Sequence, residues 1–166
     1  MNKLGLSTIV ATLLLILMTL VLAGIVWSVV TKITKDNLAK SQSCFEIFDK
    51  VKLDESYTCY NVTSNELYIS LSVKEIDVDE VTIGVSSNGE TKSFKISKTG
   101  AYVQYVRYYN NTANVALPAK NSGVAYVYDF GAAFGTTDFP DSVEVAPMVN
   151  GNQCETSSSI QEIGSC

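Results

Sequence analysis

From Leu4 to Thr31 the chain runs 28 residues without a charged side chain. Between Leu6 and Val30 stand fifteen Leu, Ile or Val residues, and no proline interrupts them. On an insertion scale these side chains favour a bilayer by about 5–8 kcal/mol. As a helix the run extends about 42 Å, more than the roughly 30 Å of a hydrocarbon core. A secretory signal has an apolar region of only about 7–15 residues, so this run reads as a lasting helix rather than a discarded one. The stretch after it, Thr31 to Ser43, lacks Pro and Gly and carries Lys32, Lys35, Asp36 and Lys40. The expectation is one helix of nearly forty residues, apolar first and polar later. Ser7, Ala11, Ala23 and Gly24 are small enough to let such helices approach closely.

Charge divides the chain in the same place. Residues 1–43 hold four Lys and one Asp, a local charge of +3; residues 44–166 hold eight basic and sixteen acidic side chains, a local charge of −8. An acidic domain of that kind lacks the basic footprint of a nucleic-acid binder. The chain has no His, which removes the commonest general base and metal ligand and with them any Ser-His-Asp or Cys-His site. No catalytic residue, cofactor or metal is expected.

After Tyr60 the apolar pattern changes to period two. Leu67, Ile69, Leu71 and Val73 alternate with polar neighbours, and Val81, Ile83 and Val85 repeat the pattern. Asn88-Gly89 marks a tight hairpin, with Phe94 and Ile96 on the returning strand. Residues 102–109, 114–117, 124–130 and 142–149 supply further strands. The fold class is therefore α+β: a long N-terminal hydrophobic α-helix followed by an antiparallel β-sandwich over residues 44–166. Tyr102, Tyr105, Tyr108, Tyr109, Tyr126 and Tyr128 read as strand residues that pack their rings rather than as an adhesive surface. The acidic run Glu75, Asp77, Asp79, Glu80 lacks the glycine and spacing of a calcium loop and reads as a solvated turn.

Four cysteines, with no CxxC and no His, point to disulfides rather than zinc. They allow three pairings. The pairing closest in sequence is Cys44–Cys59 with Cys154–Cys166, each closing a short loop and restricting the unfolded chain by about 3 kcal/mol. Two N-x-[ST] sequons, at Asn61 and Asn110, are candidate glycosylation sites. Counting Lys beside the apolar run favours a cytoplasmic domain, since Lys32, Lys35 and Lys40 follow it and only Lys3 precedes it. The even cysteine count and the sequons favour the outside, and the expectation follows them.

The first residues add a motif. Met1-Asn2-Lys3-Leu4-Gly5 precedes Leu6-Ser7-Thr8 and the apolar run, which resembles the class III signal peptide of archaeal type IV pilins and archaellins. The form LGLSTIVATLLLILMTLVLAGIVW is closer to the pilins. In that family a prepilin peptidase cuts after a Gly that follows a basic residue, at the start of the apolar stretch. The resemblance implies that Lys3 is the leader's charge, Gly5 precedes the cut, and Leu6 begins the mature chain. Residues 1–5 would be the leader and 6–43 the stem, which sits in the membrane before assembly and in a filament core afterwards. Bacterial pilins place a Glu shortly after the cut; Leu6 to Val10 has none, as in many archaeal pilins. The implied function is a structural subunit of a surface pilus, a homopolymer through its stem, serving adhesion. A single-pass anchored binding domain on the cell surface, or a minor pilin-like component, is the alternative.

Overall fold

A computed structural model describes residues 4–45, 47 and 49–166. The proline-free apolar run and its polar continuation form one helix, α1 (Leu4–Phe45). By compactness the chain divides into Met1–Ser41 and Gln42–Cys166, so the last turn of α1 belongs to the second unit.

The second unit is built on strands β1 (Val51–Leu53), β2 (Cys59–Asn61), β3 (Glu66–Val73), β4 (Glu80–Ser87), β5 (Glu90–Ser97), β6 (Ala101–Tyr102), β7 (Val106–Tyr108), β8 (Asn114–Val115), β9 (Ser122–Asp129), β10 (Ser142–Val149), β11 (Asn152–Gln153) and β12 (Ser158–Gln161). A five-residue helix, α2 (Phe130–Phe134), follows β9. All named pairings are antiparallel. One sheet runs β1-β3-β9-β7, with β2 continuing the β1 side of β3. The other runs β11-β10-β4-β5, with β12 continuing the β11 side of β10. β6 and β8 form a separate small pair.

Each sheet thus has one outer edge made of two short strands in line. Along β3 the gap between them is filled locally: the Asp54 amide donates to the Ser70 carbonyl at 2.9 Å, and the Ser70 amide donates to Thr58 Oγ1 at 3.2 Å. Along β10 the gap falls at Ala146 and Pro147, where a residue without an N–H does least harm.

The inward residues of both sheets make one core. Leu67, Ile69 and Leu71 of β3, Val81, Ile83 and Val85 of β4, and Val143 and Val145 of β10 are fully buried. The double-strand edges also join directly. The Ser157 amide donates to the Val145 carbonyl at 2.8 Å, its hydroxyl lies 3.0 Å from the Val51 carbonyl, and the Leu53 amide donates to Ser158 Oγ at 3.1 Å.

Strands form as expected at β3, β4, β5, β9 and β10, with strict alternation of burial along β3 and β4 but three successive buried residues, Tyr126 to Tyr128, in β9. β8 stops at Val115 and Phe130 opens α2, so the strands expected over 114–117 and 124–130 are shorter, and Asn88 and Gly89 take φ of 50° and 80° at the β4–β5 turn. Two further expectations need correction. Residues 102–109 are not one strand: Gln104 and Tyr105 form a turn between β6 and β7, with Tyr105 at φ 64°. The segment after Cys154 does not depend on a short loop for its order. β12 extends the second sheet, Ile160 and Ile163 are buried, and residues 164–166 run parallel to β2.

The disulfides correct the pairing too. Cys44 is bonded to Cys154 and Cys59 to Cys166, with Cα separations of 5.4 and 5.1 Å. Cys44–Cys59 and Cys154–Cys166, the pairs closest in sequence, are not formed. The reason is the long return of the chain. The Tyr60 amide donates to the Gly164 carbonyl at 2.8 Å and the Cys166 amide to the Tyr60 carbonyl at 3.0 Å, which sets Cys166 beside Cys59. The Cys154 amide donates to the Pro147 carbonyl at 2.9 Å, holding Cys154 against β10 and within reach of Cys44. Partners 110 and 107 residues apart restrict the unfolded chain more than short loops do, each by about 4–5 kcal/mol taken alone.

Candidate functional site

The feature with the clearest physical demand is the surface of α1. Ile9–Lys35 is long and apolar enough to cross a membrane, and none of its richest apolar window is buried within the chain. Leu13, Leu14, Leu15, Ile16, Leu17 and Met18 are each more than half exposed, and six consecutive residues go more than once round a helix. Trp27, at 75 % exposed, continues the same surface. No side of this stretch is suited to water.

Four of its hydroxyls are turned inward on the helix itself. Thr12 donates to the Ile9 carbonyl at 2.8 Å, Thr19 to Ile16 at 2.8 Å, Thr31 to Trp27 at 2.7 Å and Thr34 to Val30 at 2.8 Å. A threonine bonded to its own preceding turn has no donor left over, so it behaves toward its surroundings almost as a valine. Counting hydrophobic residues misses this, which only the geometry of the helix shows.

Gly5 and Leu6, expected on either side of a leader cut, lie in the first turns of α1; Lys3 lies outside the described residues. The remaining site residues belong to the sandwich and do not converge. Asn61, at the end of β2, accepts the amides of Thr63 at 3.0 Å and Ser64 at 3.3 Å on Oδ1, and is half-buried. Asn110 is exposed and accepts the Thr112 amide at 3.2 Å. Both sequons are thus turns closed by their own asparagine.

The acidic run is spread among separate partners. Asp77 takes Lys98 at 2.6 Å and Lys120 at 2.8 Å, Glu80 takes Lys95 at 2.7 Å, Glu75 takes Lys50 at 3.4 Å, and Asp79 accepts the Gly151 amide at 3.3 Å. The hydrogen bonds from Lys120 and Lys98 pull the Asp77 carboxyl down to about 2.

The tyrosines divide into two groups. Tyr126 and Tyr108 stack at 5.7 Å and both bring their hydroxyls to Ala116: Tyr126 donates to its carbonyl at 2.6 Å, and Tyr108 accepts its amide at 2.8 Å. Burial holds the Tyr126 phenol well above its usual pKa, with Tyr108 adding to the effect. Tyr102, Tyr105 and Tyr109 are exposed instead; the packed-ring expectation holds for Tyr108, Tyr126 and Tyr128, and in part for Tyr109, whose exposed ring lies 6.0 Å from that of Tyr68.

The chain matches no known protein-family model, and neither a curated protein nor a solved structure shows significant similarity to it.

Proposed function

We propose that this protein is a structural subunit of an archaeal type IV pilus-like surface filament. The observation that carries the reading is a 42-residue helix, apolar on every side over most of its length, on a chain whose other unit is an acidic, doubly cross-linked β-sandwich. Such a helix needs a nonpolar environment all round: lipid, or other copies of itself. The stem sits in the membrane in the precursor, a prepilin peptidase removes residues 1–5 after Gly5, and Leu6 opens the mature stem. In the filament, neighbouring stems then cover the surfaces that lipid covered before, and the sandwiches lie outside. The function is assembly, not catalysis. The disulfides and the sequons support a domain outside the cell.

A single-pass anchored domain meets the same nonpolar demand without polymerising, and assembly separates the two. Leu17→Asn leaves the stem uncharged and insertable but places an amide where stems pack closely. In cells it should sharply reduce the number and length of filaments seen by electron microscopy while the chain still reaches the membrane. Unchanged filaments would sink the stem-driven reading.

A further inference from the structure

The sandwich is closed on one side and open on the other. Where β1 and β12 meet, Ser157 and Ser158 tie the sheets together; the opposite edges, β5 and β7, share no direct hydrogen bond among the described residues and are bridged at one end, by Leu117 on Ser97 and Ala116 on Tyr108. Between them lies a cleft of about 430 Å³, lined by Lys92 and Phe94 of β5, Gln104 and Tyr105 of the β6–β7 turn, and Tyr128 of β9. That volume lies within the range of small-ligand sites.

Three observations set this cleft apart from a packing defect. The first is Tyr128. Its residue is only 3 % exposed, and its ring stacks on Phe94 at 5.0 Å. The hydroxyls of Tyr60, Tyr108 and Tyr126 each have a protein partner, whereas that of Tyr128 has none among the described residues. No side-chain oxygen or nitrogen among those residues is both sealed from solvent and unpartnered, so the Tyr128 hydroxyl reaches solvent, on a residue that lines the cleft. Burial, with smaller contributions from Tyr105, Asp129 and Glu90, pushes this phenol up to about 12, and it remains a donor at any physiological pH.

The second is Tyr105, a bulky residue held at φ 64°, where side chains other than Gly, Asn and Asp are seldom found. Its carbonyl accepts the Asp129 amide at 2.8 Å, which fixes the turn and sets the ring at the cleft rim. The third is charge. Lys92 is the cleft's cation, and it is committed: Nζ donates to the Ala133 carbonyl at 2.7 Å, lies 3.3 Å from Glu90, and sits over the Phe134 ring. What is left to meet a ligand is the exposed Tyr105 ring, the hydroxyls of Tyr128 and Ser93 and the Gln104 amide, all neutral.

We propose that this cleft binds a single neutral saccharide ring. The C–H face of a sugar packs on an aromatic ring, and its hydroxyls both donate to and accept from a phenol and a carboxamide. A phosphate or carboxylate ligand would need a free cation, which the cleft lacks. The site is independent of whether the stems assemble.

Saturation-transfer NMR on the full chain, in micelles of a detergent without a sugar headgroup, tests this. The probes are methyl α-glucoside, methyl β-galactoside and adenosine, each at about 10 mM, a concentration suited to one small ring in an open cleft. The expected result is transfer to the ring protons of at least one glycoside in preference to adenosine. Tyr128→Phe, which keeps the stacked ring and deletes the hydroxyl, should weaken binding roughly three- to tenfold, the worth of one neutral hydrogen bond. Tyr105→Ala, at the rim, should weaken it as well, and it decides the matter if Tyr128→Phe fails to fold. Tyr109→Ala removes an exposed ring elsewhere and should change nothing. Absence of transfer to both glycosides, transfer undiminished in folded Tyr128→Phe or in Tyr105→Ala, loss of transfer in folded Tyr109→Ala, or preference for adenosine would overturn the proposal.

Discussion

Gly131, at the start of α2, shows how tightly single positions are set. A β-carbon there would lie 2.8 Å from Cβ of Asn65, and the Gly131 amide already donates to the Asn65 carbonyl at 2.9 Å. Asn65 in turn accepts the hydroxyl of fully buried Tyr60. Gly131→Ala should therefore destabilise the sandwich by about 1–3 kcal/mol in chemical denaturation. Gly24→Ala in the stem, where a β-carbon meets nothing within 4 Å of its own chain, should not. Asp77 gives a second residue-scale prediction. Its folded carboxyl titrates near 2 against 3.8 when free, so its stabilising contribution is complete above the unfolded value and is lost as the pH falls through about 2. An NMR titration should show that low midpoint, and Lys120→Ala should raise it. The cysteines were legible as disulfides from their number and the absence of His, but not as pairs. Pairing depends on where the chain returns, and residues 154 and 166 return to the chain's early residues only through β10 and the parallel run beside Tyr60. Non-reducing peptide mapping should find Cys44–Cys154 and Cys59–Cys166. Removing either pair by Cys→Ser substitution should lower stability by about 2–5 kcal/mol.

Among the elements, those that alternate cleanly were legible, because period-two burial is written directly into the side chains. β3 and β4 each bury every second residue over eight positions. The β6–β7 break was not legible, since tyrosine is a strand former and nothing local to Tyr105 announces a positive φ. The α2 helix carries a local signal of its own. Asp129 accepts the Ala132 amide at its start, and Gly135 at φ 67° ends it, the usual cap residues at the two ends of a short turn. In the stem, length and apolarity were plain, while the inward-bonded threonines emerge only from geometry. They carry a prediction of their own. Thr19→Val should leave membrane insertion and filament number unchanged, because the hydroxyl it deletes is already spent on the Ile16 carbonyl. Leu17→Lys should oppose insertion by about 2.5–3.5 kcal/mol, read as the fraction of chain recovered with membranes.

For the whole molecule, two units answer two demands. One is a helix that only a nonpolar surrounding satisfies; the other is a sandwich with its own core, its own disulfides and an open-sided cleft. Expressed without the stem, residues 42–166 keep all four cysteines and every core residue, so they should fold as a soluble monomer by light scattering. The most direct measurement of the central claim is made on material sheared from cells: electron microscopy for filaments, with mass spectrometry to identify the subunit and its first residue. The account predicts filaments that contain this chain, beginning at Leu6. Recovery of the chain only in the membrane fraction, still beginning at Met1, would contradict it.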